Sequence, residues 1–285
     1  GVGDVPLILL LSWYIFFLVA NSCWIQFCLP TNGEHKKVIV PMNVDFIIHR
    51  QGEWIMLMLG ESILSLLTAE IVETTGYYIT AFVGIITVIM MQVLHFESEP
   101  SQADGHAMRR DKTAGYFYHV VVQIYSMALV AVGASYKVML NIIVYAYNHP
   151  PSDSSYTSTN SEDDGHRYSR FLAGSSIDDS TETKQTTARL FSNALMLALL
   201  SLELMSLLHK GLSNNFKRVT DADCDRPYRR QFSMLFVLIK VALLVVTGTL
   251  FLWLTEPQQV TIAGGILVFF MIFTKIVGWH LFNAE

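Results

Sequence analysis

A bundle of about seven membrane-spanning helices is the fold the sequence predicts, and three observations predict it. Of the 285 residues, 52% are hydrophobic and only 15% are charged, against about 25% charged in a soluble globular domain. Seven apolar segments are long enough to cross a hydrocarbon core of ~30 Å, which takes about 20 helical residues. Lys and Arg collect on alternate connections between those segments, the asymmetry that marks the cytoplasmic side of a membrane protein.

The segments cover residues 5–29, 44–71, 77–97, 116–136, 188–209, 231–255 and 258–282. Residues 1–148 therefore hold the first four spans, 149–187 a polar loop, and 188–285 the last three. The chain opens on GVGDVP without an initiator Met, and its first apolar run lacks the basic flank of a signal peptide. It reads as a chain that begins partway through a longer protein, which leaves open whether further spans precede residue 1. Cys23, Cys28 and Cys224 are too few and wrongly spaced for a disulfide framework or a zinc motif; they read as small fillers and a loop thiol.

The second segment stands apart. Residues 43–73 form an apolar helix that nonetheless carries His49, Arg50, Glu53 and Glu61. Ionisable groups at membrane depth cost roughly 2.5–3.5 kcal/mol each on insertion scales, so a helix that keeps several usually uses them. At about 100° per residue, Arg50, Glu53, Leu57, Gly60 and Glu61 share about a third of the circumference, with His49 at its edge. Ile48, Ile55, Leu59, Ile63 and Leu66 line the opposite face, free to meet lipid or neighbouring helices.

The third span ends in QVLHFESEPSQADGHAMRRDKTAG, which packs His95, Glu97, Glu99, Asp104, His106, Arg109 and Arg110 into one short stretch. Mixed charge around a Pro-Ser-Gln turn predicts an ordered, internally paired loop. The fourth span is followed by KVMLNIIVYAY, too short to cross again; after Gly133, a weak point in a helix, this tail either extends the helix or lies along the interface. Residues 149–187 are Ser/Thr/Asp-rich with almost no large apolar side chains, a composition that cannot offset ordering entropy and predicts disorder. The Gly264–Gly265 pair in the last span reads as close helix packing, because no nucleotide-binding pattern surrounds it.

Taking alternate connections, one side collects Lys36 and Lys37, then Arg109, Arg110 and Lys112, then Lys210, Lys217, Arg218, Arg226, Arg229 and Arg230. The opposite short loops, VETTG and TEPQQ, have none. With seven spans, the residue-1 end is exoplasmic and the C-terminus cytoplasmic. The basic group at 210–230 suits anionic lipid, at roughly 1 kcal/mol per residue near the surface. A net charge of −5 comes largely from the acidic loop and so argues neither for nor against nucleic acid; no nucleic-acid partner is expected, and a homo-oligomer is compatible with the pattern.

Centring each span in the bilayer gives its residues a depth at about 1.5 Å per residue. Glu53, Glu203, Lys240 and Lys275, from four spans, fall within ~4–8 Å of the midplane on its cytoplasmic side. Such a layer is either a gate or counter-ion cluster, or a set of bridges that fixes which helix sits beside which. His49, His95, His119, His209 and His280 fall near a second depth, ~10–16 Å toward the cytoplasm. A ring of imidazoles binds metal or haem, or gathers protons, although interfacial depth is also where a polar aromatic is cheapest to place. Glu61 shares its depth with no basic residue of a span, so burial there favours its neutral acid, the behaviour of a group that titrates or awaits a cation. Gly60 beside it leaves room for a close approach, and Ser62 offers a hydrogen bond.

The run HRQGEWIMLMLGESILSLL, residues 49–67, resembles the signature of the low temperature requirement A family of multi-pass membrane proteins. Arg50, Gly52, Trp54, Leu59, Gly60, Glu61 and Ser62 match that pattern in register, and HFESEP followed by HAMRR resembles its eukaryotic branch. His49 departs from the acid that usually precedes the Arg, and Phe46 from a frequent His. The match covers under a tenth of the chain. It implies a membrane fold and points at Arg50 and Glu61, without importing an activity.

Three functions are expected on these grounds. The first is a proton- or cation-linked transporter or channel, with Glu61 as the titrating site, Gly60, Ser62, Glu53 and Arg50 around it, and the Glu203, Lys240 and Lys275 layer as gate. The second is an intramembrane metal or haem enzyme built on the histidine layer, against which stands the lack of a strongly spaced ligand set. The third is a non-catalytic sensor or assembly subunit. No cofactor is predicted.

Overall fold

The computed structural model describes residues 44–100, 106–110, 112–148, 178–210 and 227–283. Contacts divide the chain into two units, Gly1–Ile47 and Ile48–Glu285, and the described helices fall in the second, apart from residues 44–47. Among the described residues there is no strand. The helices are α1 (Val44–Leu67), α2 (Thr75–Ser98), the four-residue α3 (Ala107–Arg110), α4 (Lys112–Asn148), α5 (Asp178–Lys210), α6 (Pro227–Trp253) and α7 (Pro257–Asn283).

Five of them are long and apolar enough to cross a membrane: Thr75–Ser98, Ala114–Asn148, Glu182–His209, Leu235–Trp253 and Pro257–Val277. The count of seven drawn from the sequence is not reached among the described residues. Residues 5–29 lie outside them, and α1, diluted by Asp45, His49, Arg50, Glu53 and Glu61, is not among the five.

Local signals set the helix ends. Thr74 caps α2, its side-chain oxygen accepting from Tyr77 N at 3.4 Å. Pro227 and Pro257 open α6 and α7, where the missing N–H of proline costs nothing. The tail after Gly133 does not break away: α4 runs unbroken through it for 37 residues. The polar loop is shorter than its composition suggests, because residues 178–187 already form the first turns of α5; acids at a helix start complement its dipole. Residues 149–177 lie outside the described residues.

Packing follows helical periodicity. α4 buries Tyr118, Tyr125, Leu129, Val132, Tyr136 and Leu140 along one face, and α5 answers with Ala188, Phe191, Leu195, Ala198, Leu199, Leu202 and Met205. α2 packs on α7 and α4, and α6 on α5 and α7. Lipid supplies no hydrophobic drive between helices, so close contact rests on dispersion and small residues. Gly264 and Gly265 serve this: added Cβ atoms would meet Phe191 and Thr87 within 3.0 Å. Interior hydroxyls turn back on their own helix, Ser126 to Val122 O, Ser201 to Leu197 O and Thr261 to Pro257 O, which satisfies them without water.

Candidate functional site

The polar helix turns its charges away from the bundle. Its buried face is Gln51, Ile55, Leu59, Ser62 and Leu66, the apolar side read from the sequence plus two polar residues. Glu53 joins residues of its own helix, with His49 Nε2 3.2 Å from Oε1 and Arg50 Nη1 2.9 Å from Oε2. These side chains are 76%, 64% and 49% exposed for His49, Arg50 and Glu53.

Glu61, Gly60 and Ser62 do not form one site. Glu61 and Gly60 are exposed, and a Cβ on Gly60 would meet nothing within 4 Å. Ser62, about 100° around the helix, is buried, and its hydroxyl reaches Met58 O at 3.1 Å and Leu129 O at 3.0 Å on α4. The close approach expected at Gly60 occurs instead at Gly133, where a Cβ would lie 2.8 Å from Ser62 Cα.

The four-residue charge layer also divides. Lys240 Nζ binds both oxygens of Glu203, whereas Lys275 Nζ donates to Leu94 O at 3.3 Å and Glu53 stays on its own helix. Equal depth groups these residues, but depth carries no information about direction around the bundle axis.

The histidine layer is where the structure concentrates chemistry, with different members. His49 is exposed, and His119, also exposed, bonds Gln51. The side chains of His280, Lys210, Arg229 and Arg230 lie outside the described residues, as do Lys217, Arg218 and Arg226. His95 and His209 are buried and are joined by His106, which in the sequence stands among the charges of a short connection.

This cluster is built by four elements. His95 closes α2, Glu99 follows it, His106 leads into α3, Tyr118 and Tyr125 come from α4, and His209 from the end of α5. The His106 and His209 rings lie 4.3 Å apart, with Tyr118 4.6 Å and 4.8 Å from each. His95 stacks on Tyr125 at 5.6 Å. Two consecutive backbone N–H groups donate to imidazoles, Ala107 to His209 Nδ1 at 3.2 Å and Met108 to His106 Nδ1 at 3.3 Å. An accepting Nδ1 puts the ring proton of each neutral imidazole on Nε2.

Glu99 completes the group. Its Oε1 accepts from the Tyr118 hydroxyl at 3.5 Å and lies 3.4 Å from His95 Nε2, close enough to pair but not aligned as a hydrogen bond. Burial raises the Glu99 carboxyl above the ordinary carboxylate range, partly offset by the Tyr118 bond, and pushes His106 down to about 4. Both groups are thus held toward their neutral forms. The His106 Nε2 and the Tyr125 hydroxyl are buried without an aligned partner.

The arrangement holds a carboxyl within 3.5 Å of both an imidazole and a phenol, three groups that each carry an exchangeable proton. Among the described residues, no three His, Cys, Asp or Glu side chains are placed to share a metal ion. Comparison with protein-family profiles, with characterised proteins and with solved structures returns no match.

Proposed function

We propose that this chain is a multi-pass membrane protein that moves protons or small cations, with Glu99, His95 and Tyr118 as its titrating site. One observation carries the reading: a carboxylate sits between an imidazole and a phenol at a buried end of a bundle of apolar helices. Intramembrane or membrane-edge acids and histidines held in such company are what proton relays are made of. The proposal moves the site from Glu61, which faces away from the bundle.

The resemblance of residues 49–67 to the low temperature requirement A family belongs to this proposal as its family reading. So does the orientation. The cluster sits at the end whose connections carry Arg109, Arg110, Lys112 and Lys210, the side read as cytoplasmic.

The test is flux in liposomes reconstituted with wild type, Glu99→Gln and Glu61→Gln. Proton or small-cation flux is expected in wild type and Glu61→Gln, and its loss in Glu99→Gln. Absence of flux in wild type, or equal flux in Glu99→Gln, overturns the reading.

A further inference from the structure

α2 and α4 run antiparallel, and their shared seam is polar at three levels. Glu99 meets Tyr118, His95 stacks on Tyr125, and Thr87 lies against the Tyr136 hydroxyl. The three tyrosines fall within about 20° of one another around α4, and all are fully buried. From Tyr118 to Tyr136 the helix rises about 27 Å, close to the ~30 Å of a hydrocarbon core. Polar levels therefore lie toward both ends of that depth, with about 16 Å between the Tyr125 and Tyr136 levels.

These levels are not closed among themselves. The Tyr125 hydroxyl and both His95 nitrogens are buried without an aligned hydrogen bond, and the Tyr136 hydroxyl near Thr87 is likewise unaligned. Thr87 already donates to Val83 O at 2.7 Å. The Thr80 hydroxyl on α2 is also buried and without a partner. Folded proteins pair buried polar atoms with protein or with ordered water almost without exception. His95, Tyr125 and Tyr136 lie on this seam with four such atoms among them, and Thr80, two helical turns before Thr87, shares its side of α2.

We propose that ordered water occupies the α2–α4 seam and joins Glu99, His95, Tyr125 and Tyr136 into a hydrated proton path through the bundle. The register places Met91 against Leu129 and Val132, all buried, between the Tyr125 and Tyr136 levels. That apolar step is the narrow point of the path. The proposal rests on the proton-handling reading above for its use, but the water itself is testable without flux.

The experiment is hydroxyl-radical labelling of the full chain in lipid nanodiscs by X-ray radiolysis in ¹⁸O water, alongside thermal unfolding of Tyr125→Phe. A fully buried ring is oxidised when bound water is radiolysed beside it. Labelling of Tyr125 and Tyr136 is expected at levels comparable with exposed Tyr78, together with a lowered Tm for Tyr125→Phe, because the phenol then holds a water. Unlabelled Tyr125 and Tyr136 with Tyr78 labelled overturns the proposal, as does a raised Tm for Tyr125→Phe, the result for an orphan hydroxyl in a dry core. Labelling without flux in wild type keeps the water and removes the transport reading; flux without labelling does the reverse.

Discussion

Lys240 Nζ lies 2.9 Å and 2.8 Å from the two carboxylate oxygens of Glu203, joining α6 to α5 where α6 offers little else that is polar. Leu235, Val237, Leu238, Val241, Val245 and Val246 on α6 are all exposed, so lipid contact does not fix which way this helix turns. The ion pair does.

Removing one member leaves a charge with no partner in an apolar setting. Lys240→Met is expected to destabilise by roughly 3 kcal/mol, the low end for a buried pair, because the two side chains remain 24% and 18% exposed. The double replacement Lys240→Met with Glu203→Leu recovers most of that loss. Glu53→Ala, whose partners are exposed, costs less than about 1 kcal/mol. Thermal unfolding of the four proteins in detergent measures all three values, and equal losses for Lys240→Met and the double replacement would refute the pairing.

Acid should loosen the α3 end of the bundle. His106 is buried neutral, at about 4 in the fold against an ordinary 6.5, so the unfolded chain binds its proton first. Stability is full above pH 6.5 and falls as the pH drops toward about 4, by about 3 kcal/mol over that window. Glu99, raised by burial, works in the opposite direction: its contribution is present at low pH and fades as the pH rises through its raised value. His106→Asn keeps an oxygen where Nδ1 accepts from Met108 N but does not titrate. Its melting temperature should vary less between pH 7 and pH 5 than that of wild type, and identical slopes would sink the assignment.

Two glycines should respond with opposite sign. A Cβ at Gly133 would press on the Ser62 backbone at 2.8 Å, so Gly133→Ala must push α1 from α4 and should cost about 1–3 kcal/mol. At Gly60 nothing lies within 4 Å, and alanine there is expected to stabilise by roughly 0.5–1 kcal/mol through helix propensity alone. A destabilised Gly60→Ala would show that this exposed face is covered.

The sequence shows the helices plainly, because long apolar runs with short polar breaks permit little else. It also orders residues along each helix, and the structure brings His95 and His209 from two such helix ends into one buried cluster. What it hides is azimuth. Glu53 and Glu203 share a depth but point to different neighbours, and the apolar spans are so uniformly apolar that no stripe says which side faces in. His106 is hidden for a different reason. Its burial comes from the chain folding back between α2 and α4, so that Ala107 and Met108 meet the two imidazoles, a tertiary event with no local pattern. The first ten residues of α5 are hidden by composition, since their polarity resembles that of the loop before them.

The length of α4 carries one more consequence. At 37 residues it extends about 55 Å, more than the ~30 Å of a hydrocarbon core. Phe191 packs on Tyr136, which sets the end of α4 and the start of α5 alongside each other. A tag inserted between these two helices, read by an antibody on intact cells, would therefore report which side of the membrane this whole end of the bundle faces.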